Sequence, residues 1–201
     1  MAFGTYADLT ANIASWLGRG DLTANIPDFI VLFEAVAARK LKVRPMETST
    51  NLTPTNGTVA LPSDYLGYRR ATWTGSPLVE LEYLHPSLLQ QYYPVSVTDI
   101  PRHFTIEGSN FKIRPLDGTA TAIEFDYFAK TAALSSALNW LYTNHPDVFL
   151  HGALTEAYLF NKDPDNAGIW KARRDQVFDE ISMLNFRENS GLQVRVNGQT
   201  P

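Results

Sequence analysis

The 201-residue chain is 44% hydrophobic and 12% aromatic, has no cysteine, and carries a formal net charge of −4 with a pI of about 5.5. That much apolar material suits one compact body with a subdomain; the missing cysteines exclude disulfides, thiolate nucleophiles and Cys-based metal sites, and the acidic balance argues against a dedicated nucleic-acid binder. No run of about 18 apolar residues is present to span a bilayer, and Met1-Ala2-Phe3-Gly4-Thr5 lacks the character of a signal peptide, so no membrane partner is expected and a cytoplasm-like compartment is, unless the protein leaves within a larger particle.

Residues 5 to 17 place Tyr6, Leu9, Ile13 and Trp16 at three-and-four spacing, lining one face of a short helix that Gly18 stops. Arg19-Gly20-Asp21 matches an adhesive triplet but reads as a chance match in a glycine turn. Pro27 suits a first helical turn. Phe29, Ile30, Phe33, Val36, Ala37 and Leu41 then form an apolar stripe, so a second helix is predicted over about 28 to 43, ended by Pro45. Arg39, Lys40, Lys42 and Arg44 crowd its end. Cations there complement the helix dipole, and the same cluster is a candidate for facing DNA or an acidic partner.

From Glu47 the sequence turns threonine-rich and β-branched. Residues 48–53 and 58–61 flank Asn56-Gly57, which tolerates positive φ, so a hairpin is predicted there. Tyr68 to Trp73 meets Leu78 to Tyr83 in a second hairpin across Thr74-Gly75-Ser76-Pro77, and Pro86 to Tyr93 is a brief helix. Residues 102–107 and 111–114 make a third pair. In Thr121 to Tyr127, Ile123, Phe125 and Tyr127 alternate with Glu124 and Asp126, the pattern of a strand with one wet face.

Helical periodicity returns after Ser135. Asn139 caps a turn carrying Trp140, Leu141 and Tyr142, Pro146 opens a longer helix through Phe160, and Gly152 and Ala153 permit close packing on it. Asp163-Pro164 starts a last helix, with Trp170, Val177, Phe178, Ile181 and Leu184 expected inward and Lys171, Arg173, Arg174, Asp175, Asp179 and Glu180 in solvent. In the tail, Leu192, Val194 and Val196 alternate with Gln193, Arg195 and Asn197, a short strand-like motif suited to a partner's sheet edge; disorder is the competing reading. The expected fold class is therefore α+β: a helical body from 1–46 and 131–188, an inserted antiparallel β-sheet or sandwich over 47–130, and an extended C-terminal arm over 189–201.

Little in this layout speaks for chemistry. His145 with Asp147 and His151 with Glu156 read as capping and packing, because no serine or threonine signature accompanies them. His85, His103, His145 and His151 lack the spacing of helical metal ligands, Asp163-Pro164-Asp165 reads as a cap, and the glycines show no phosphate-binding pattern. No enzyme activity, metal or cofactor is expected. Trp73, Tyr83, Tyr92 and Tyr93 lack interleaved basic residues, which favours core or subunit contact over nucleic-acid stacking. A helical body, a β insert and a loose end read as an assembly part whose faces have different partners.

Several phrases, in order, carry a resemblance: Tyr6-Ala7-Asp8-Leu9, Ser15-Trp16-Leu17, Asp21-Leu22-Thr23, Ile26-Pro27-Asp28-Phe29-Ile30, Gly57 to Tyr65, Pro101-Arg102-His103-Phe104, Asn139-Trp140-Leu141 and His145-Pro146-Asp147. Over about residues 5 to 185 the chain resembles the head-to-tail adaptor proteins of tailed bacteriophages, which are similar to the tail tubular protein A of short-tailed phages. The resemblance implies a non-enzymatic virion protein at the head–tail interface, made in the host cytoplasm. It implies a homo-oligomeric ring of twelve between the portal protein and a tail or nozzle protein, with genomic DNA passing through the channel without specific binding. On this resemblance Leu192, Val194 and Val196 belong to a portal-docking arm, and Arg39, Lys40, Lys42 and Arg44 are candidates to face the channel. The competing expectation is a tail-associated β binding module on a helical stalk.

Overall fold

The computed structural model describes residues 3–189, with side chains as far as Leu184. The fold is α+β, and its described residues form two compact units, a helical one from both sides of the insert and a β one comprising Met46–Lys130. In chain order α1 (Tyr6–Leu17) and α2 (Ile26–Lys40) come first. Thr5 and Asp8 form a capping box at the start of α1, each side chain accepting a hydrogen bond from the other's amide, and Gly18 ends the helix at φ 63°. The predicted second helix is shorter than expected. It stops at Lys40 because Leu41 turns extended, after which Leu41 and Val43 are buried while Lys42 and Arg44 point outward, an alternation that satisfies the core better than another helical turn.

The β unit holds β1 (Glu47–Leu52), β2 (Thr58–Ala60), β3 (Tyr65–Trp73), β4 (Val79–Glu80), β5 (Glu82–Tyr83), the short α3 (Pro86–Tyr92), β6 (His103–Glu107), β7 (Asn110–Arg114) and β8 (Ile123–Ala129). They form two four-stranded sheets, ordered β1-β8-β3-β4 and β2-β7-β6-β5. Trp73, Ile123, Phe125 and Tyr127 of the first sheet and Phe104, Phe111 and Ile113 of the second share one core, with the Phe111 and Phe125 rings 5.2 Å apart, so the insert is a small sandwich. Each fully buried phenylalanine contributes about 2–3 kcal/mol of hydrophobic stabilisation.

Two sequence expectations fail here. The Asn56-Gly57 turn forms, with φ of 51° and 71°, and Thr55 and Thr58 exchange backbone hydrogen bonds. The flanking strands nevertheless do not pair: β1 runs against β8 and β2 against β7, so the turn carries the chain from one sheet to the other. Likewise the 78–83 strand is split at buried Leu81, β4 pairing with β3 and β5 pairing with β6 in parallel, which makes the second sheet mixed.

Asp117 organises the loop before β8. Its carboxylate accepts hydrogen bonds from Trp73 Nε1 (3.2 Å), the Thr119 amide and hydroxyl (2.9 and 2.6 Å) and the Thr121 amide (2.5 Å). Partial burial acts to raise its pKa, but these donors outweigh burial and lower it to about 2. The folded value lies below the unfolded one near ~3.9, so the stabilisation is present above that value and lost as pH falls toward 2. Asp117→Asn is expected to cost the protein about 1–2 kcal/mol at pH 7, discounted for partial exposure, and less at pH 2.5. Urea titrations at the two pH values check this; an equal loss at both excludes the carboxylate's charge as the cause.

After the insert come α4 (Trp140–Asn144), α5 (Pro146–Phe160) and α6 (Pro164–Asn189). Asn139 Oδ1 accepts from the Tyr142 amide at 2.9 Å and Asp163 Oδ1 from the Asn166 amide at 3.1 Å, so both predicted caps form. Phe33 of α2 is fully buried against Phe149 of α5 and Phe178 of α6, with ring centroids 4.9 and 6.1 Å apart, and it lies directly over Gly152.

Candidate functional site

The cationic run sits where α2 ends. Arg39 and Lys40 occupy its last turn, and all four of Arg39, Lys40, Lys42 and Arg44 are exposed. They are not a bare positive patch. Lys40 Nζ donates to Asp175 Oδ1 of α6 at 2.9 Å, and the same oxygen accepts from Arg174 Nε and Nη2 at 3.0 and 2.9 Å. Burial acts to raise the pKa of Asp175, but the hydrogen bonds from Lys40 and Arg174 outweigh it and hold the carboxylate below its usual range.

Arg174 corrects the sequence reading of α6. It was expected in solvent, yet it is 5% exposed, lying over the Phe178 ring at 6.0 Å while its charge is met by Asp175. Leu184, expected inward, is 55% exposed, and Ile181 is the last buried side chain among those described in α6. The arm residues Leu192, Val194 and Val196 lie outside the described residues.

His85 caps a helix and His151 packs on a ring, whereas the His145 side chain, expected to cap, makes no capping hydrogen bond at the start of α5. His85 Nδ1 accepts from the Ser87 amide at 3.4 Å at the start of α3, and His103 Nδ1 is 2.7 Å from the Tyr93 hydroxyl. His151 packs on Trp170 at 5.5 Å with its Nδ1 buried and unpartnered; burial pushes its imidazole below the usual value, the Arg173 charge adding to this and Asp147 opposing it. Tyr127 is raised to about 12 by burial and by Asp64, which accepts its hydroxyl at 3.0 Å. Among the described residues no group of three or more His, Asp or Glu side chains is placed to hold a metal ion, and no helix is long and apolar enough to cross a membrane.

The aromatic residues of the insert divide. Trp73 is core, while Tyr83 stacks on Tyr68 at 5.3 Å and both rings remain partly exposed over Phe104. Tyr92 is more exposed still. What the described residues offer is thus surfaces, partly neutralised on the helical unit and aromatic on the β unit.

The family model described as SU10 adaptor protein matches residues 4–197. No curated protein matches the chain.

Proposed function

The chain belongs to the SU10 adaptor protein family and is a phage adaptor, a structural component of the virion; from that premise we propose that it closes as a ring of twelve between the portal protein and a tail or nozzle protein. The observation that carries this reading is the extent of the match, which runs through both compact units rather than one. A cyclic ring uses two different faces on every subunit, and a chain built of two unlike units supplies them.

In this reading the ring prolongs the channel through which the genome leaves, and Arg39, Lys40, Lys42 and Arg44 face the lumen. Duplex DNA binds tightly where basic residues are concentrated and release counterions. The Lys40–Asp175 pair supports a lumen of alternating sign along which DNA slides without sticking. The subunit is made in the host cytoplasm and joins the particle through the portal, with Leu192, Val194 and Val196 as the docking segment.

The mass of the portal-bound complex tests the reading. Twelve adaptor copies per portal are expected. A stoichiometry incompatible with twelve excludes the ring, and a monomer or trimer with a saturable ligand supports a tail-associated binding module instead.

A further inference from the structure

We propose that the exposed ledge formed by α3 and the loop after it, residues 86–98, is a subunit contact whose occupant is a second copy of this chain; this rests on the ring reading above. Between Tyr83 and Asp99 the sequence contains no Asp, Glu, Lys or Arg, although 19% of the chain is charged. A solvated surface rarely goes that long without charge, whereas the cores of protein interfaces are depleted in charge and enriched in tyrosine. Within this stretch Leu88, Tyr92, Val95 and Val97 are 44, 66, 70 and 52% exposed.

The ledge is fixed in place. Leu89 is buried beneath it, Tyr93 bonds to His103, the Val97 carbonyl accepts from the Leu116 amide at 2.8 Å, and the Asp99 amide donates to the Leu116 carbonyl at 3.0 Å. An apolar surface anchored at both ends loses little conformational freedom on docking. Its lack of charge disfavours DNA and acidic or basic partners.

Area selects the occupant. The four side chains expose on the order of 400 Å², about half the ~800 Å² per partner of a stable two-protein interface. A contact of that size holds a lone pair of proteins weakly, but a closed ring holds each subunit through two neighbours, and a template raises the effective concentration at which they meet. The ledge therefore suits repetition around a ring better than attachment to one separate partner.

The test uses the full chain assembled on its portal. With Tyr92→p-benzoylphenylalanine, irradiation is expected to give an adaptor–adaptor product of twice the subunit mass, and sequencing the joined peptides locates the acceptor face. A Tyr92→Asp, Val95→Asp double variant is expected to unfold within a few degrees of the wild type, since both side chains are exposed, while its ring content falls at least tenfold. Crosslinks to the portal or tail protein, no crosslink, or a charged variant that rings normally overturn this inference and leave the ring standing. Absence of any ring in the wild-type protein overturns the ring reading and this inference with it.

Discussion

Replacing Gly152 with alanine is expected to lower the stability of the protein by about 2–3 kcal/mol, the reverse of what the same change does on an open helix surface. In an exposed helix interior alanine is favoured over glycine by about 1 kcal/mol. At position 152 a methyl group would overlap Cδ2, Cγ and Cε2 of the Phe33 ring. That ring cannot step aside: it is fully buried, with Phe149 edge-on at 4.9 Å and Phe178 stacked at 6.1 Å. The helices must separate or a rotamer must strain, and overpacking of this kind costs about 1–3 kcal/mol or more.

A double-mutant cycle isolates the cause. Phe33→Leu alone leaves a partly filled hole and is expected to cost about 1–2 kcal/mol. Combined with Gly152→Ala it creates room where the methyl goes, so the pair is expected to be at least about 1 kcal/mol more stable than the sum of the single losses. Denaturant titration of the four proteins measures the coupling. A neutral or stabilising Gly152→Ala would show that α2 and α5 are not held together by this close approach.

Gly152 also shows what could be read in the sequence. That it permits close helix packing follows from its size and from the apolar run around it, but that Phe33, more than a hundred residues earlier, fills the gap does not. Caps and turns were the most legible local features. The caps at Asn139 and Asp163 form as their side chains dictate, and the Asn56-Gly57 turn takes the positive φ values that those residue types tolerate. Pairing was not legible to the same degree. The predicted hairpin around Asn56-Gly57 fails because β8, some seventy residues later, offers β1 a full ladder from Glu47 against Phe128 to Leu52 against Ile123, and no local signal announces that competitor.

The same division holds for the surfaces. Arg39 and Lys40 in the last turn of α2 and Lys42 and Arg44 just beyond it are exposed, while the acid that meets Lys40 stands 135 residues away on α6. Arg174 was misread because a charge in a helix is ordinarily solvated; burial became tolerable through the neighbouring Asp175 and the Phe178 ring. The ledge around Tyr92 did leave a signal, the charge-free stretch from 84 to 98, but whether such a stretch is core or surface is decided only by what packs against it.

Removing the residues after Ser190 is expected to leave thermal unfolding within a few degrees of the wild type and to weaken attachment to the portal by at least a hundredfold. The first half follows from the core, since the last buried core side chain among the described residues is Ile181, well before the cut. The second half follows from the pattern of the removed segment. Leu192, Val194 and Val196 alternate with Gln193, Arg195 and Asn197, so that, if it binds the portal as a strand, the segment would present all three apolar side chains to one side and its amides and carbonyls to a sheet edge. A strand bound this way draws affinity from backbone hydrogen bonds and specificity from the alternate pockets. Val194→Asp in the intact chain is therefore expected to lose at least tenfold in portal affinity, because it puts an unpaired charge in the central pocket, whereas Gln193→Asp on the opposite side is expected to change it by less than threefold. Sedimentation of adaptor and portal mixtures reads all three variants. If the truncated protein binds the portal as the full chain does, the segment is not the dock, and the contact belongs to the helical unit.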